Sequence, residues 1–466
     1  MLAKGTWVHF IGIGGTGMSG LAKVMLEQGY KVSGSDLADT AVTRRLTAQG
    51  AMVYTGHQEE NLDQGVKVVV VSTAVRENNP ELCLAKKRGL VVLHRADLLA
   101  QLMNLKKGIA VAGAHGKTTT SAMIGLMLEQ NDLDPAILVG GEIREIDGNA
   151  KWGKGEYMAA EADESDGSFL KLSPWMAVIT NIEDDHLDHY ESIDAIIKAF
   201  YSFTERVSKE GFLVLCNDDP RLREMARAKL GPTVVTYGVK EPADYRAENL
   251  SLTPEGSEAD IYRGETLLGR LRLAVPGEHN ISNALAAFVC ADLIGLPAEG
   301  ALAALARFNG AGRRFQLTGI VNDISIVDDY AHHPTEVKAT LAAARQREPK
   351  RLIAIFQPHR FTRTRDQYQE FGKSFDEADL VIINEIYPAG EPAIPGVSAR
   401  LIVDAFESHC GKKALYFAER EEIINFLLDK ANPGDLAITM GAGNIWTVGT
   451  ELLSRLKEKT ILTNNF

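Results

Sequence analysis

The sequence predicts an α/β protein made of three successive α/β units, and three observations point to it. The 466-residue length exceeds what one ordinary core holds. Short apolar runs alternate with stretches of helical spacing along the whole chain. Three of those runs, ending at Ile11, Ala112 and Met440, enter glycine turns that precede a helix. Hydrophobic residues at 45% and charged residues at 24% lie in the globular range. The formal net charge of −12 argues against nucleic acid or an anionic membrane as partner, since both attract a basic field. Cys83, Cys216, Cys290 and Cys410 are far apart, without disulfide or zinc-ligand spacing, which fits a reducing cytoplasm. Lys4, His9 and a glycine cluster interrupt the first apolar stretch, so no signal peptide is expected. No run has the length of a membrane span, and no internal repeat is visible.

The first unit opens with the strand Trp7 to Ile11, which leads into Gly12-Ile13-Gly14-Gly15-Thr16-Gly17 and a helix through Glu27. Glycines 12, 14 and 17 satisfy G-x-G-x-x-G, and Asp36 follows the second strand, Tyr30 to Gly34, where a ribose-binding acid is expected. An NAD-type dinucleotide fits this pattern, and a UDP-sugar fits it equally, because both present a diphosphate and a ribose. The buried strand Lys67 to Ser72 ends in Ser72-Thr73-Ala74, the end at which open α/β sheets bind ligands. His57, His94 and Arg95 are weaker candidates, since an isolated histidine is more often a structural hydrogen-bonder.

The second unit begins after Asn104 to Lys107 with GIAVAGAHGKTTTSAMIGLML, residues 108 to 128. A buried strand, a glycine turn and a helix form a phosphate-binding loop, in which Gly113, Ala114, His115, Gly116, Thr118 and Thr119 surround a polyphosphate. Lys117 neutralises the terminal phosphates and Thr118 ligates Mg²⁺. The usual G-x-x-x-x-G-K-[ST] pattern wants glycine where Val111 stands, so a shorter loop is indicated. Glu161 ends the strand Tyr157 to Ala162 and is favoured over Glu164 as a further metal ligand. Met176 to Thr180 leads into a rim of acids around His186, which can also hold a metal. A polar meander of short strands, Asp244 to Leu273, precedes Asn280 and a helix from Ala284 to Leu293. Asn280 suits either an N-cap or an adenine edge.

Glycines and arginines at Phe308 to Phe315 mark the last boundary. Strands Ile324 to Asp328, Arg351 to Phe356, Leu380 to Asn384 and Leu436 to Met440 follow. The first leads into Tyr330, His332 and His333, and the second into Arg360, Arg363 and Arg365, a clamp for carboxylate or phosphate. The tail from Thr460 to Phe466 is expected to fray.

Taken together, the segments resemble the Mur ligases, ATP-dependent amide-bond ligases of peptidoglycan synthesis. The resemblance is carried by GIGGTGMSG at 12 to 20, GAHGKTTT at 113 to 120, EADESDGSF at 161 to 169 and TNIEDDHLDHY at 180 to 190. It continues in PGEHNISNA at 276 to 284, GRRF at 312 to 315, DDYAHHPTE at 328 to 336 and QPHRFTRT at 357 to 364. The family's shorter G-x-x-G-K-T loop accounts for Val111. The resemblance implies an N-terminal Rossmann-like domain for a UDP-sugar over 1–104 and a central P-loop ATPase-like mixed-sheet domain over 105–310. A C-terminal Rossmann-like domain over 311–466 follows.

The family member most closely resembled joins L-alanine to the lactyl carboxylate of UDP-N-acetylmuramate through an acyl phosphate. The implied cofactors are ATP and Mg²⁺, with Mn²⁺ as the alternative ion. By the same resemblance Lys117 and Thr118 hold phosphates and metal, Glu161 and His186 serve the metals, and Asn280 and Arg314 contact the nucleotide. Tyr330, His332, Arg360 and Arg363 then face ATP or the muramoyl and alanine end, with His186 and His332 as candidate bases. Gly12, Gly14, Gly15, Thr16, Gly17, Asp36, Ser72, Thr73, Ala74, His94 and Arg95 remain for the UDP-sugar. Lys198 does not align convincingly with the carbamoylated lysine of several members. A monomer or a homodimer is compatible with all of this. The competing readings are a ligase of a recycled tripeptide to the same UDP-sugar, an NAD-dependent oxidoreductase, and a non-catalytic nucleotide binder.

Overall fold

The computed structural model describes residues 3–464, except the side chains of 187, 188 and 461–464. Of the tail expected to fray, 465 and 466 lie outside the described residues, whereas the backbone of 460–464 continues the helix Trp446–Asn464. The chain forms two compact units. One comprises Met1–Glu248, Asp260–Leu271 and Ser282–Phe308; the other comprises Asn249–Ala259, Arg272–Ile281 and Asn309–Phe466.

Three sheets organise the α/β chain. The first contains β1 (Trp7–Ile11), β2 (Lys31–Asp36), β3 (Met52–Thr55), β4 (Val68–Val71) and β5 (Val91–His94), in the order β3-β2-β1-β4-β5. All its pairings are parallel. This is a Rossmann-like order, and its direction reverses between β1 and β4, which opens a crevice at the strands' carboxyl ends. The helix Thr16–Glu27 starts there, and it buries Met18, Leu21, Ala22, Val24 and Met25 along one face.

The second sheet is mixed and has ten strands. They are β6 (Lys107–Ala112), β7 (Ala136–Ile143), β8 (Gly148–Trp152), β9 (Tyr157–Glu161), β10 (Met176–Ile179), β11 (Phe212–Cys216), β12 (Thr233–Gly238), β13 (Tyr245–Thr253), β14 (Gly256–Arg263) and β15 (Thr266–Leu273). β6 lies between β10 and β9, parallel to both. That central place explains its unbroken apolar run, because both of its faces are covered. The helix that follows, Lys117–Gln130, is buried from Thr118 through Leu128, so small and apolar residues occupy all of its sides.

The third sheet contains β16 (Gln316–Val321), β17 (Ile324–Asp329), β18 (Arg351–Phe356), β19 (Leu380–Asn384), β20 (Leu415–Phe417) and β21 (Asp435–Met440), in the order β16-β17-β21-β18-β19-β20. Only β16 runs antiparallel to its neighbour. The alternation along β18 feeds two cores. Ala354 and Phe356 join Phe371, Phe375 and Phe406 on one face, while Ile353 and Ile355 join Ile326 and Ile382 on the other. No helix among the described residues is long and apolar enough to cross a membrane.

Two local expectations change. The helix expected from Ala284 begins at Glu278, so Asn280 lies inside its first turn and is not its N-cap. The meander strands are eight or nine residues long, not short. Strands β3, β5, β7, β8, β11, β12, β16 and β20 carry no individual expectation from the sequence.

Candidate active site

The phosphate loop follows β6 directly. Gly113 has φ +131°, and a Cβ there would collide with the Thr180 hydroxyl. Gly116, at φ +82°, is the N-cap of the helix Lys117–Gln130, and a Cβ there would meet Asn283 Oδ1 at 2.5 Å. Both positions therefore require glycine. No side chain caps this helix, so its first-turn amides lack helical acceptors and face the loop with the helix's positive end. Asn181 shapes the loop from outside. Its Oδ1 accepts from the His115 amide at 2.8 Å, its Nδ2 donates to the His115 carbonyl at 3.0 Å, and its own carbonyl accepts from the Ala114 amide at 3.2 Å. The Ala114 and His115 amides are thus committed to the protein, while residues 117–119 supply the helix-end donors.

Lys117 Nζ donates to the Gly113 carbonyl at 2.5 Å, to the Ala114 carbonyl at 3.1 Å and to Glu164 Oε1 at 2.8 Å. Burial alone pushes the ammonium's pKa down, but Glu164, Glu161 and Asp163 outweigh it and hold the pKa above the usual lysine value. Lys117 is therefore a cation at neutral pH. The Thr118 hydroxyl donates to Glu161 Oε2 at 2.9 Å, and the Gly140 amide donates to the same oxygen at 2.8 Å. Glu164 is only 3% exposed, and its Oε2 is buried with no hydrogen-bond partner among the described residues. His186, at φ +57°, places Nε2 3.6 Å from Glu164 Oε1 and 3.6 Å from Asp185 Oδ2. The structure therefore brings together Lys117, Thr118, Glu161 and His186, as expected. It adds Glu164, which the sequence reading ranked below Glu161. A polyphosphate with a divalent cation fits this donor set: a cation, helix-end amides, a hydroxyl, two carboxylates with one oxygen unsatisfied, and an imidazole. Lys198 is exposed on the helix Ile193–Thr204.

At the first sheet's carboxyl end, Gly12 has φ +79° and the Gly14 amide donates to Asp36 Oδ2 at 2.9 Å. Gly15 caps the helix Thr16–Glu27 without a side-chain bond. Ser72, Thr73 and Ala74 form a turn after β4, closed by the Val75 amide on the Ser72 carbonyl at 3.1 Å. His94 is in part structural: it caps the helix Arg95–Met103, and burial pushes its pKa down although Asp166 partly opposes this. Arg95 lies beside Gly17 and pairs with Asp163 at 2.7 Å. Burial raises the Asp163 carboxyl, but Arg95 and then Lys117 outweigh it and hold it at about 2. A buried network beneath this edge was not foreseen. Glu81 accepts from Ser35 at 2.6 Å and Asn61 at 2.7 Å and meets His9 at 3.2 Å, while Ser35 also bonds His57 at 2.9 Å. Burial raises the Glu81 carboxyl, yet those bonds, led by His9, leave it below its usual range.

The second unit gathers another group. Arg313 and Arg314 lie 5.0 and 5.1 Å from the Tyr330 ring centre. Arg313 is structural: it bonds Asp328 at 2.9 Å and the Gly441 carbonyl at 2.7 Å. Arg314 pairs with Glu336 at 3.6 Å. His332 Nδ1 is 3.0 Å from the Tyr330 carbonyl and 3.2 Å from Glu336 Oε2. Asn280 Nδ2 donates to the Pro276 carbonyl at 2.7 Å. Arg360 is the N-cap of the helix Phe361–Gly372, and Arg363 lies in the first turn of that helix. Arg365, in the same helix, pairs with the neighbouring Asp366 at 2.7 Å.

Comparison with known proteins places this geometry. Family models match along the chain in order: "Mur ligase family, catalytic domain" over 7–107, "Mur ligase middle domain" over 111–291 and "Mur ligase, glutamate ligase domain" over 313–443. The UDP-N-acetylmuramate–L-alanine ligase of Pelotomaculum thermopropionicum is 56% identical over 97% of this chain and 98% of its own. The solved UDP-N-acetylmuramate–alanine ligase of Thermotoga maritima is 29% identical, with a TM-score of 0.84 over 97% of this chain and 99% of its own. A murein peptide ligase from Psychrobacter arcticus is 25% identical, with a TM-score of 0.74 over 97% and 99%. With three successive family models, a near full-length relative and a phosphate loop of the shorter kind, the chain belongs to the Mur ligase family.

Proposed function

We propose that the protein joins L-alanine to the lactyl carboxylate of UDP-N-acetylmuramate, converting ATP to ADP and phosphate. The observation that carries this reading is the Lys117, Glu164, Glu161 and Thr118 cluster at the phosphate loop, in a chain 56% identical over nearly its full length to an alanine ligase. A carboxylate is a poor electrophile, so its oxygen first accepts the γ-phosphoryl group, and the amine then displaces phosphate from the acyl phosphate.

Lys117 and the first-turn amides of its helix bind the terminal phosphates and offset the charge that develops during transfer. Thr118, Glu161, Glu164 and His186 hold the divalent cation, Mg²⁺ by the oxygen-rich donor set. When bound, that ion neutralises phosphate oxygens. The glycines at 12, 14, 15 and 17, with Thr16, Asp36, Ser72 to Ala74, His94 and Arg95, receive the UDP-sugar. Asn280, Arg314 and Tyr330 attend the nucleotide, and Arg360 and Arg363 hold a substrate carboxylate. His332 takes the ammonium proton, or His186 does so in place of binding the cation. The domains we assign to these roles are 1–104, 105–310 and 311–466, and we place the reaction in the cytoplasm, the source of its ATP.

The test is phosphate release from ATP with Mg²⁺, UDP-N-acetylmuramate and either L-alanine or the L-alanyl-D-glutamyl-diaminopimelate tripeptide. Release with alanine and not with tripeptide is expected. Turnover with tripeptide alone would move the protein to the murein peptide ligase activity named for the Psychrobacter arcticus structure.

A further inference from the structure

Arg360 stands in an unusual backbone conformation, φ +72° and ψ 141°, which L residues rarely adopt, and it caps its helix with no side-chain bond. The cap is supplied from elsewhere. Glu391, 31 residues on, accepts from the Thr362 amide with Oε2 at 3.1 Å and from the Thr362 hydroxyl with Oε1 at 2.8 Å. Its Oε1 also lies 3.8 Å from the Arg360 guanidinium.

The route that brings Glu391 back is built. The Arg360 amide donates to the Tyr387 carbonyl at 2.9 Å, and the Tyr387 amide donates to the Pro358 carbonyl at 2.8 Å. The rings of His359 and Tyr387 stack 5.7 Å apart, 10° from parallel. A tight turn then closes with the Glu391 amide on the Pro388 carbonyl at 2.9 Å, and its central residues Ala389 and Gly390 have φ +50° and +85°. Positive φ at both positions is the type I′ geometry. This turn aims Glu391 at the helix end that carries Arg360 and Arg363.

We propose that Glu391 is a positioning residue for the amino-acid ligation. It caps the arginine-bearing helix and holds the Arg360 guanidinium in its carboxylate-binding orientation until substrate replaces Glu391 as partner. Arg360 is 38% exposed, so its guanidinium is open to an incoming carboxylate, and at 3.8 Å its pairing with Glu391 is loose enough to be exchanged. A carboxylate both caps a helix N-terminus and pairs with a guanidinium, and a neutral amide does only the first. The inference rests on the reading that Arg360 binds a substrate carboxylate.

The experiment uses the full chain with ATP, Mg²⁺, UDP-N-acetylmuramate and L-alanine, and variants Glu391→Gln, Glu391→Asp, Arg360→Lys and Glu391→Gln/Arg360→Lys. The expected result is that Glu391→Gln raises KM about tenfold for the same carboxylate substrate that Arg360→Lys affects, and leaves KM for ATP within about twofold. The double variant should be no worse than Arg360→Lys, and Glu391→Asp should recover part of the loss. Wild-type kinetics for Glu391→Gln beside a damaged Arg360→Lys would overturn the proposal, as would additive effects in the double variant. So would a fall in kcat and Tm with every KM unchanged, which marks a helix cap and nothing more. Wild-type KM values for Arg360→Lys itself would refute the reading of Arg360, a separate outcome.

Discussion

Lys117 and Glu164 form an ion pair at 2.8 Å in which the carboxylate is only 3% exposed. Each charge is tolerable there because of the other. Lys117→Met should abolish phosphate release and also destabilise the protein, by about 3–5 kcal/mol, because it strands a buried carboxylate. Lys117→Met/Glu164→Gln should regain most of that stability and none of the activity. Denaturant unfolding beside phosphate release checks both; a single variant as stable as the parent would show that the pair is energetically idle.

Asp163 gives the site its acid limit. Its carboxyl, at about 2 in the fold, lies below the unfolded value near 3.9. The contribution is therefore present above about pH 4 and disappears as pH falls toward 2. Its side chain is 34% exposed, so solvent screening reduces the effect to about 1 kcal/mol. The stability advantage of the parent over Asp163→Asn should be constant from pH 7 to 5 and close below pH 4, measured by thermal unfolding across that range.

Asp329 acts in the opposite direction. Burial pushes its carboxyl up to about 6, and the Arg314 charge with the Phe315 and Ala331 amides offsets only part of that. Between about pH 4 and 6 the folded state binds more protons than the unfolded one, so this residue's contribution falls as pH rises. Relative to Asp329→Asn, the parent should gain stability on going from pH 7 to 4.5. A carboxyl resonance titrating near 6 by NMR would identify the group directly, and one titrating near 4 would contradict it.

The backbone of Arg360 predicts a contrast between two inactive variants. An L residue at φ +72° and ψ 141° carries strain of about 1–3 kcal/mol, most of it from its Cβ. Arg360→Gly should therefore be more stable than Arg360→Ala by roughly 1 kcal/mol, against the usual penalty for glycine. Equal Tm values would show that the conformation costs nothing.

What could be read before the structure was what is local in the chain. The phosphate loop, Lys117, Thr118, Glu161 and His186 lie at strand ends, and a buried strand announces itself by its apolar run. Asp36 and the glycines beside it follow the same logic. The unread features depend on distant partners or on backbone geometry. Arg313 and Arg314 are neighbours of one type, but Arg313, at φ +57°, turns inward to Asp328 and two carbonyls. Glu391 reaches its helix at Thr362 across 29 residues, and Asn181 shapes a loop 66 residues earlier. Glu81 sits in the first turn of an ordinary-looking helix, yet it meets residues from three other segments. β16, an edge strand with polar and small residues, lacks a strong alternating pattern.

The bond from the Gly14 amide to Asp36 Oδ2 gives the first sheet's edge an internal latch. On the proposed reading, a nucleotide that takes its ribose hydroxyl to Asp36 and its phosphate to the glycine loop competes with this latch for the carboxylate and for the Gly14 amide. Binding is then an exchange of partners rather than an addition of new ones, and the measured affinity is the net of the two. Asp36→Asn would weaken the latch together with the ribose contact, so the loss it records understates what the carboxylate gives the bound ligand. On that reading, ligands that reach only one half, a free phosphate or a bare nucleoside, face the cost of opening with half the return, and the edge would favour the whole nucleotide.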